Sequence, residues 1–156
     1  MKVSSWIIAL AALLVIACTS REKSNELGKK IVGEWRNIYL KIVINEADTK
    51  DSVRISECDS TNWEAMLGIK PIHTFFNADG SYKSDYYNLK DSLFLTNTGS
   101  WTIKGDTLIM NQLTPKPGIY KMKTTIVAGV STFEGMIDFD HDGKQDDHYL
   151  GRQRKQ

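Results

Sequence analysis

The chain has 156 residues, and its 20 lysines and arginines nearly balance its 19 aspartates and glutamates, for a formal net charge of +1. This length suffices for one domain with a hydrophobic core and not for two. The balanced charge, with no basic block beyond the short segment "RQRK" at residues 152–155, argues against a nucleic-acid partner.

The amino terminus has the pattern of an exported protein. Lys2 precedes an uncharged apolar run over residues 6–17, which is shorter than the ~20 residues of a membrane-spanning helix and typical of a secretory signal. The junction "VIAC" resembles a bacterial lipobox, in which the cysteine after the cleavage site is lipidated. We therefore predict a lipoprotein signal peptide over residues 1–17 and an acyl anchor, such as palmitate, on Cys18. An ordinary signal peptide that contains a cysteine is the alternative.

An anchor of this kind predicts a place in the bacterial cell envelope, on the outer membrane, facing either the periplasm or the cell surface. Residues 18–30 are mostly polar, as in a flexible tether, and residues 31–156 form the predicted domain. With Cys18 acylated, Cys58 is the only remaining thiol, so no intramolecular disulfide can form. A lone cysteine is usually a buried small hydrophobe, and a reactive nucleophile is the alternative.

From residue 31 onward the pattern is almost entirely that of β-strands. The first strand, over residues 31–45, has apolar even positions while Trp35 has the opposite parity, so we predict a bulge near Asn37. Only residues 60–68 favour a helix, of barely two turns. Turns at residues 77–80 and at Gly105-Asp106 predict two hairpins.

About eight to ten such strands follow one another through tight turns, without the helical crossovers of a parallel sheet. Closure of this meander removes its exposed edges. The predicted fold is therefore all-β, a single up-and-down antiparallel β-barrel.

Three motifs in this region resemble those of bacterial lipocalin-like lipoproteins. They are Gly33-Glu34-Trp35, which is similar to the Gly-x-Trp of lipocalins, and the hairpins "TFFNADGSY" and "GSWTIKGDTLIM". The resemblance extends to about Gln112 through these motifs and beyond it only through the strand pattern. It implies that Gly33 and Trp35 lie at the closed end of the barrel, under an arginine of the last strand. Arg152 matches that role, or Arg154 in a shifted register.

The resemblance also implies a cup that holds a small apolar or amphipathic molecule, although a barrel of eight strands can instead fill its interior with side chains. The predicted function is non-catalytic binding or transport of a small hydrophobic ligand. The alternative is an accessory module with a filled core that binds protein or glycan. Residues 45–70 are a lid in the first case and a contact surface in the second. Strand parity gives eight candidates for the pocket wall: Tyr39, Phe75, Tyr82, Trp101, Met110, Tyr120, Met122 and Phe133.

The segment "DFDHDGKQDD" spaces its carboxylates like the first nine positions of a calcium loop. Position twelve is Tyr149 rather than glutamate, which predicts weak calcium binding at most, and a hairpin with solvated carboxylates is the alternative. The candidate ligands are Asp138, Asp140, Asp142 and Asp146. No other cofactor is predicted. No enzyme is predicted either, because Ser131 lacks the second glycine of a nucleophile elbow and the histidines are scattered.

Overall fold

A computed structural model describes residues 24–45 and 53–156. Nine antiparallel strands form its single sheet: β1 (Gly33–Asn45), β2 (Val53–Asp59), β3 (His73–Phe76), β4 (Ser81–Tyr87), β5 (Leu93–Lys104), β6 (Thr107–Thr114), β7 (Gly118–Val127), β8 (Val130–Ile137) and β9 (Asp147–Lys155). Two helices lie among the described residues, α1 (24–31) and α2 (Trp63–Leu67). Neither is long and apolar enough to span a membrane. The predicted signal peptide and Cys18 lie outside the described residues.

The sheet closes on itself. β1 pairs with β3 along one edge and with β9 along the other, so β1 and β3 to β9 form an eight-stranded up-and-down barrel. β2 is an additional strand that pairs with the second half of β1. The predicted all-β barrel is confirmed, and its strand count lies within the predicted range.

The bulge predicted in the first strand is also confirmed. The β1–β9 register shifts between Asn37 and Tyr39, and the shift changes which residue parity is buried. Trp35 and Asn37 are buried before it, whereas Ile42 and Ile44 are buried after it. The bulge thus lets one long strand keep apolar residues on the inner face along its whole length.

Helix α1 covers the end of the barrel where β1 begins. Leu27 and Ile31, four residues apart on one helical face, are buried, and the hydroxyl of Ser24 donates to the carbonyl of Ile103 at 3.0 Å. The polar composition of residues 24–30 predicts a flexible tether, but these two apolar residues anchor the segment as a helix against the barrel. The closed end of the barrel is therefore defined here as α1 together with the β3–β4, β5–β6 and β7–β8 turns.

The two predicted hairpins, β3–β4 and β5–β6, have the predicted turns. Trp101 pairs with Met110 and Ile103 with Leu108, around a turn in which Gly105 has a φ of 66°. Gly80 has a φ of 84° in the β3–β4 turn, a conformation that favours glycine.

Gly99 lies where the β5–β6 register shifts. A Cβ atom there would collide with the carbonyl oxygen of Asn111 and lie 2.9 Å from the Cα atom of Gln112. Because both neighbours are backbone, we expect Gly99→Ala to lower the free energy of unfolding by about 2 kcal/mol. Gly28→Ala in α1 is the control, since its Cβ meets only Ile103 at 4.0 Å. Urea unfolding of both variants, followed by circular dichroism, tests this, and equal losses would contradict it.

Candidate functional site

The barrel is hollow toward the end opposite α1. A cavity of about 470 Å³ lies between the strands, and its lining includes Asp138, Phe139 and His141 of the β8–β9 loop, residues 138–146. This loop therefore marks the mouth. Small-molecule sites in proteins occupy about 300–1,000 Å³, so the cavity is large enough for one small ligand.

The closed end is a compact apolar floor. Trp35 and Leu108 are fully buried and share one core cluster with Ile31 and Phe76. The indole N–H of Trp35 donates to the carbonyl of Ile31 at 2.6 Å, so the floor and the end of α1 are joined by a hydrogen bond as well as by packing.

The cation that lies over Trp35 is not the predicted one. Lys155 Nζ lies 5.3 Å from the centroid of the Trp35 ring and donates to the carbonyl of Lys30 at 2.9 Å. Arg152 instead lies 5.1 Å from the ring of Tyr39, on the outside of the barrel. The prediction of Arg152, and its alternative Arg154, is wrong because the β1–β9 register pairs Trp35 directly with Lys155.

The backbone conformation of Gly33 explains why a glycine stands two residues before Trp35. Its φ is 132°, which side chains rarely adopt, and a Cβ atom there would lie 2.8 Å from Cε of Lys155. The backbone conformation therefore favours glycine at this position, and Lys155 lies beside it.

Five of the eight residues predicted for the pocket wall line the cavity, namely Tyr82, Met110, Tyr120, Met122 and Phe133. The other three do not. Tyr39 follows the bulge and points outward, where its hydroxyl donates to Glu57 at 2.7 Å. Phe75 also faces outward, under Lys83, because its neighbour Phe76 is the inward partner of Tyr82.

Trp101 shares its face with Met110, but its ring is directed to the β3–β4 turn at the closed end and not into the cavity. Its ring packs edge-on against Phe76, with centroids 5.9 Å apart, and its indole N–H donates to the carbonyl of Asn77 at 3.0 Å. It lines a shallower groove beside α1 instead.

Four buried polar residues form a continuous chain across neighbouring strands of the cavity wall, which we call the polar belt: Gln153 of β9, Asn37 of β1, Thr74 of β3 and Ser84 of β4. The Gln153 amide donates to Asn37 Oδ1 at 3.0 Å and to Thr74 Oγ1 at 3.4 Å. The hydroxyls of Thr74 and Ser84 are 3.0 Å apart. The sequence analysis missed the belt, although Asn37, Thr74 and Ser84 each lie two residues from an inward aromatic residue.

Three polar atoms of cavity-lining residues have no hydrogen-bond partner among the described residues. They are the Tyr82 hydroxyl and Oε1 of Gln153 on the wall, and Oδ1 of Asp138 in the loop at the mouth. Tyr82 is 3% exposed and Gln153 is 8% exposed. Burial raises the pKa of Tyr82 to about 12, with a further contribution from Tyr120 and Tyr86. The hydroxyl is therefore protonated at neutral pH and available as a donor.

The described wall carries no lysine or arginine. Its ionisable groups besides tyrosines are Asp138 and His141, both in the loop at the mouth. Burial also raises the pKa of Tyr86 and Tyr149 above the ordinary tyrosine value, so these residues remain neutral. The interior is thus polar in places without being positively charged.

The acidic loop assembles differently from the predicted calcium loop. Carboxylate oxygens of Asp138, Asp140 and Asp147 lie within 4.8 Å of one another. Asp147, which the spacing did not select, is fully buried and accepts backbone N–H groups of Asn45 at 2.9 Å and Phe139 at 2.6 Å. Its carboxylate therefore ties the loop to the end of β1.

The two other predicted calcium ligands do not belong to this group. Asp142 accepts the backbone N–H of Lys144 and pairs with its ammonium at 3.1 Å, and these contacts hold the pKa of Asp142 below its usual value. Asp146 lies outside the group because β9 begins at Asp147, which pairs with Ile137. The predicted set of four ligands is therefore not brought together.

None of residues 53–70 lines the cavity. β2 extends the sheet beside β1, and α2 follows it. Cys58 is a buried free thiol whose pKa is raised by burial, in keeping with a packing role. The described part of this segment is thus not a wall of the site, and its role as a lid or as a contact surface stays a prediction.

No protein-family model matches the chain, and no curated protein matches it.

Proposed function

We propose that this protein is a non-catalytic binding protein that holds a small, mainly apolar molecule in its barrel and is attached to the cell-envelope membrane through Cys18. The observation that carries the proposal is the cavity of about 470 Å³ inside a barrel that is closed at one end. A barrel whose core is filled by side chains leaves no such volume, so the cavity favours a ligand-binding protein over the filled-core interaction module.

The chemistry of the wall supports an apolar ligand. Phe76, Phe133, Met110 and Met122 all contribute to it. Transfer of apolar surface from water to such a wall is favourable by roughly 25 cal/mol per Å². Methionine side chains adapt their shape to a ligand because they are unbranched, which suits a site that accepts more than one hydrocarbon shape.

The lipocalin-like part of the proposal rests on the Gly33-Glu34-Trp35 motif, which occupies the closed end beneath Lys155. The anchor rests on the "VIAC" junction and the apolar segment before it. Together these features support a membrane-attached carrier with a ligand-binding barrel.

Native mass spectrometry tests the proposal. Residues 19–156, which include every described element, are to be secreted by a bacterial host and purified without detergent, with folding checked by circular dichroism. We expect a discrete added mass that organic solvent releases and that is absent after refolding. A bare mass that stays unchanged after incubation with a lipid extract would contradict the proposal.

A further inference from the structure

We infer that the cavity selects an uncharged ligand whose polar end both donates and accepts a hydrogen bond, such as a primary amide or an alcohol. This end binds at the Tyr82 hydroxyl and Gln153 Oε1. The inference rests on the proposed function and adds to it the chemical class of the ligand.

Two of the unpartnered polar atoms lie on the wall of the cavity itself. Tyr82 and Gln153 are both more than nine-tenths buried, both line the cavity, and neither the Tyr82 hydroxyl nor Gln153 Oε1 has a partner among the described residues. An unsatisfied buried polar group costs about 1–3 kcal/mol. A ligand that supplies a donor to Oε1 and an acceptor to the hydroxyl removes this cost for both.

The surrounding strands fix the positions of these two groups. The Gln153 amide is held by its bonds to Asn37 and Thr74, so Oε1 is directed by the polar belt and not by a mobile side chain. Tyr82 lies two residues before Ser84 on β4 and therefore on the same inward face. The belt thus presents a preorganised acceptor, with a donor on the adjoining part of the wall.

The charge of the wall disfavours an anionic ligand. A buried carboxylate or phosphate is stable only when a cation or several donors compensate it. The described wall has no lysine or arginine, and Asp138 adds a carboxylate at the mouth. An anionic head group is therefore disfavoured beside Tyr82 and Gln153, whereas a neutral one exchanges its hydrogen bonds to water for hydrogen bonds to these two residues.

Three probes with the same carbon chain test the inference at neutral pH: decanamide, decanoate and decane. Binding to the folded 19–156 protein is measured for each by native mass spectrometry. We expect decanamide to bind at least about 10-fold more tightly than decanoate. Tyr82→Phe should weaken decanamide binding by about 3- to 10-fold and leave decane binding unchanged.

Tyr39→Phe is the matched control, because it removes the same hydroxyl from the outside of the barrel, where the hydroxyl contacts Glu57. This variant should leave the binding of all three probes unchanged. Equal binding of decanamide and decanoate, or an unchanged affinity for decanamide in Tyr82→Phe, overturns the inference. If decane still binds in that case, the proposed function is retained. If none of the three probes binds, the proposed function and the inference both fail.

Discussion

Replacing Trp35 with alanine is expected to lower the free energy of unfolding by about 3–5 kcal/mol. The indole is fully buried in the floor of the barrel, in one cluster with Ile31 and Leu108. Its loss leaves a cavity between α1 and the strands, and it removes the 2.6 Å hydrogen bond to the Ile31 carbonyl. Guanidinium unfolding followed by circular dichroism measures the change, and a loss below about 1 kcal/mol would be inconsistent with this role.

Two methionine variants test which cation supports the indole. Lys155→Met keeps the aliphatic stem and removes the ammonium that lies over the ring and donates to the Lys30 carbonyl. We expect it to cost about 1 kcal/mol. Arg152→Met is the matched control on the same strand, and its effect should be smaller, because Arg152 lies over Tyr39 outside the barrel. If Arg152→Met lowers the free energy of unfolding more than Lys155→Met does, Arg152 and not Lys155 supports the floor of the barrel.

Ser84→Phe is expected to weaken ligand binding by about 100-fold while the barrel stays folded. Ser84 is buried on the cavity wall, in the polar belt. An aromatic ring at this position occupies the volume that the ligand needs, and it separates Thr74 from its hydroxyl partner. Affinity for decane is the appropriate measurement, because decane makes no hydrogen bond that the substitution could remove.

Ser100→Phe is the control, with the same chemical change on the neighbouring strand. Ser100 is exposed and pairs with Ser81 and Asn111, so its side chain lies outside the cavity. Its decane affinity should equal that of the unchanged protein. Equal affinities for both variants would show that the ligand does not enter the barrel at Ser84.

The closed barrel and its bulge could be predicted from the sequence because both depend on local patterns. Alternating residues specify which face of a strand is buried, and the opposed parities of Trp35 and Ile42 require an irregularity between them. The same reasoning placed Met110, Met122 and Phe133 on the wall, since their strands are regular around these positions.

The errors arose where long-range register or position along the barrel axis decides the outcome. Lys155 pairs with Trp35 through a contact between strands 120 residues apart (35 to 155), which no local pattern specifies. Trp101 has the correct parity but lies at the closed end, and parity carries no information about height. The polar belt was missed because buried Gln153 and Thr74 become compatible with the interior only through their partners, which the fold brings together.

Helix α1 determines how an anchored barrel is oriented. It brings the chain to the closed end, and the six residues from Cys18 to Ser24 span at most about 20 Å even when fully extended. The 13 residues of β1 correspond to about 40 Å along the strand, or roughly 30 Å along a tilted barrel axis. If Cys18 is the anchor, this segment is too short to let the barrel turn over and place its mouth against the bilayer. Under the same proposed anchor, we expect a ligand to reach the mouth of the barrel from the aqueous side.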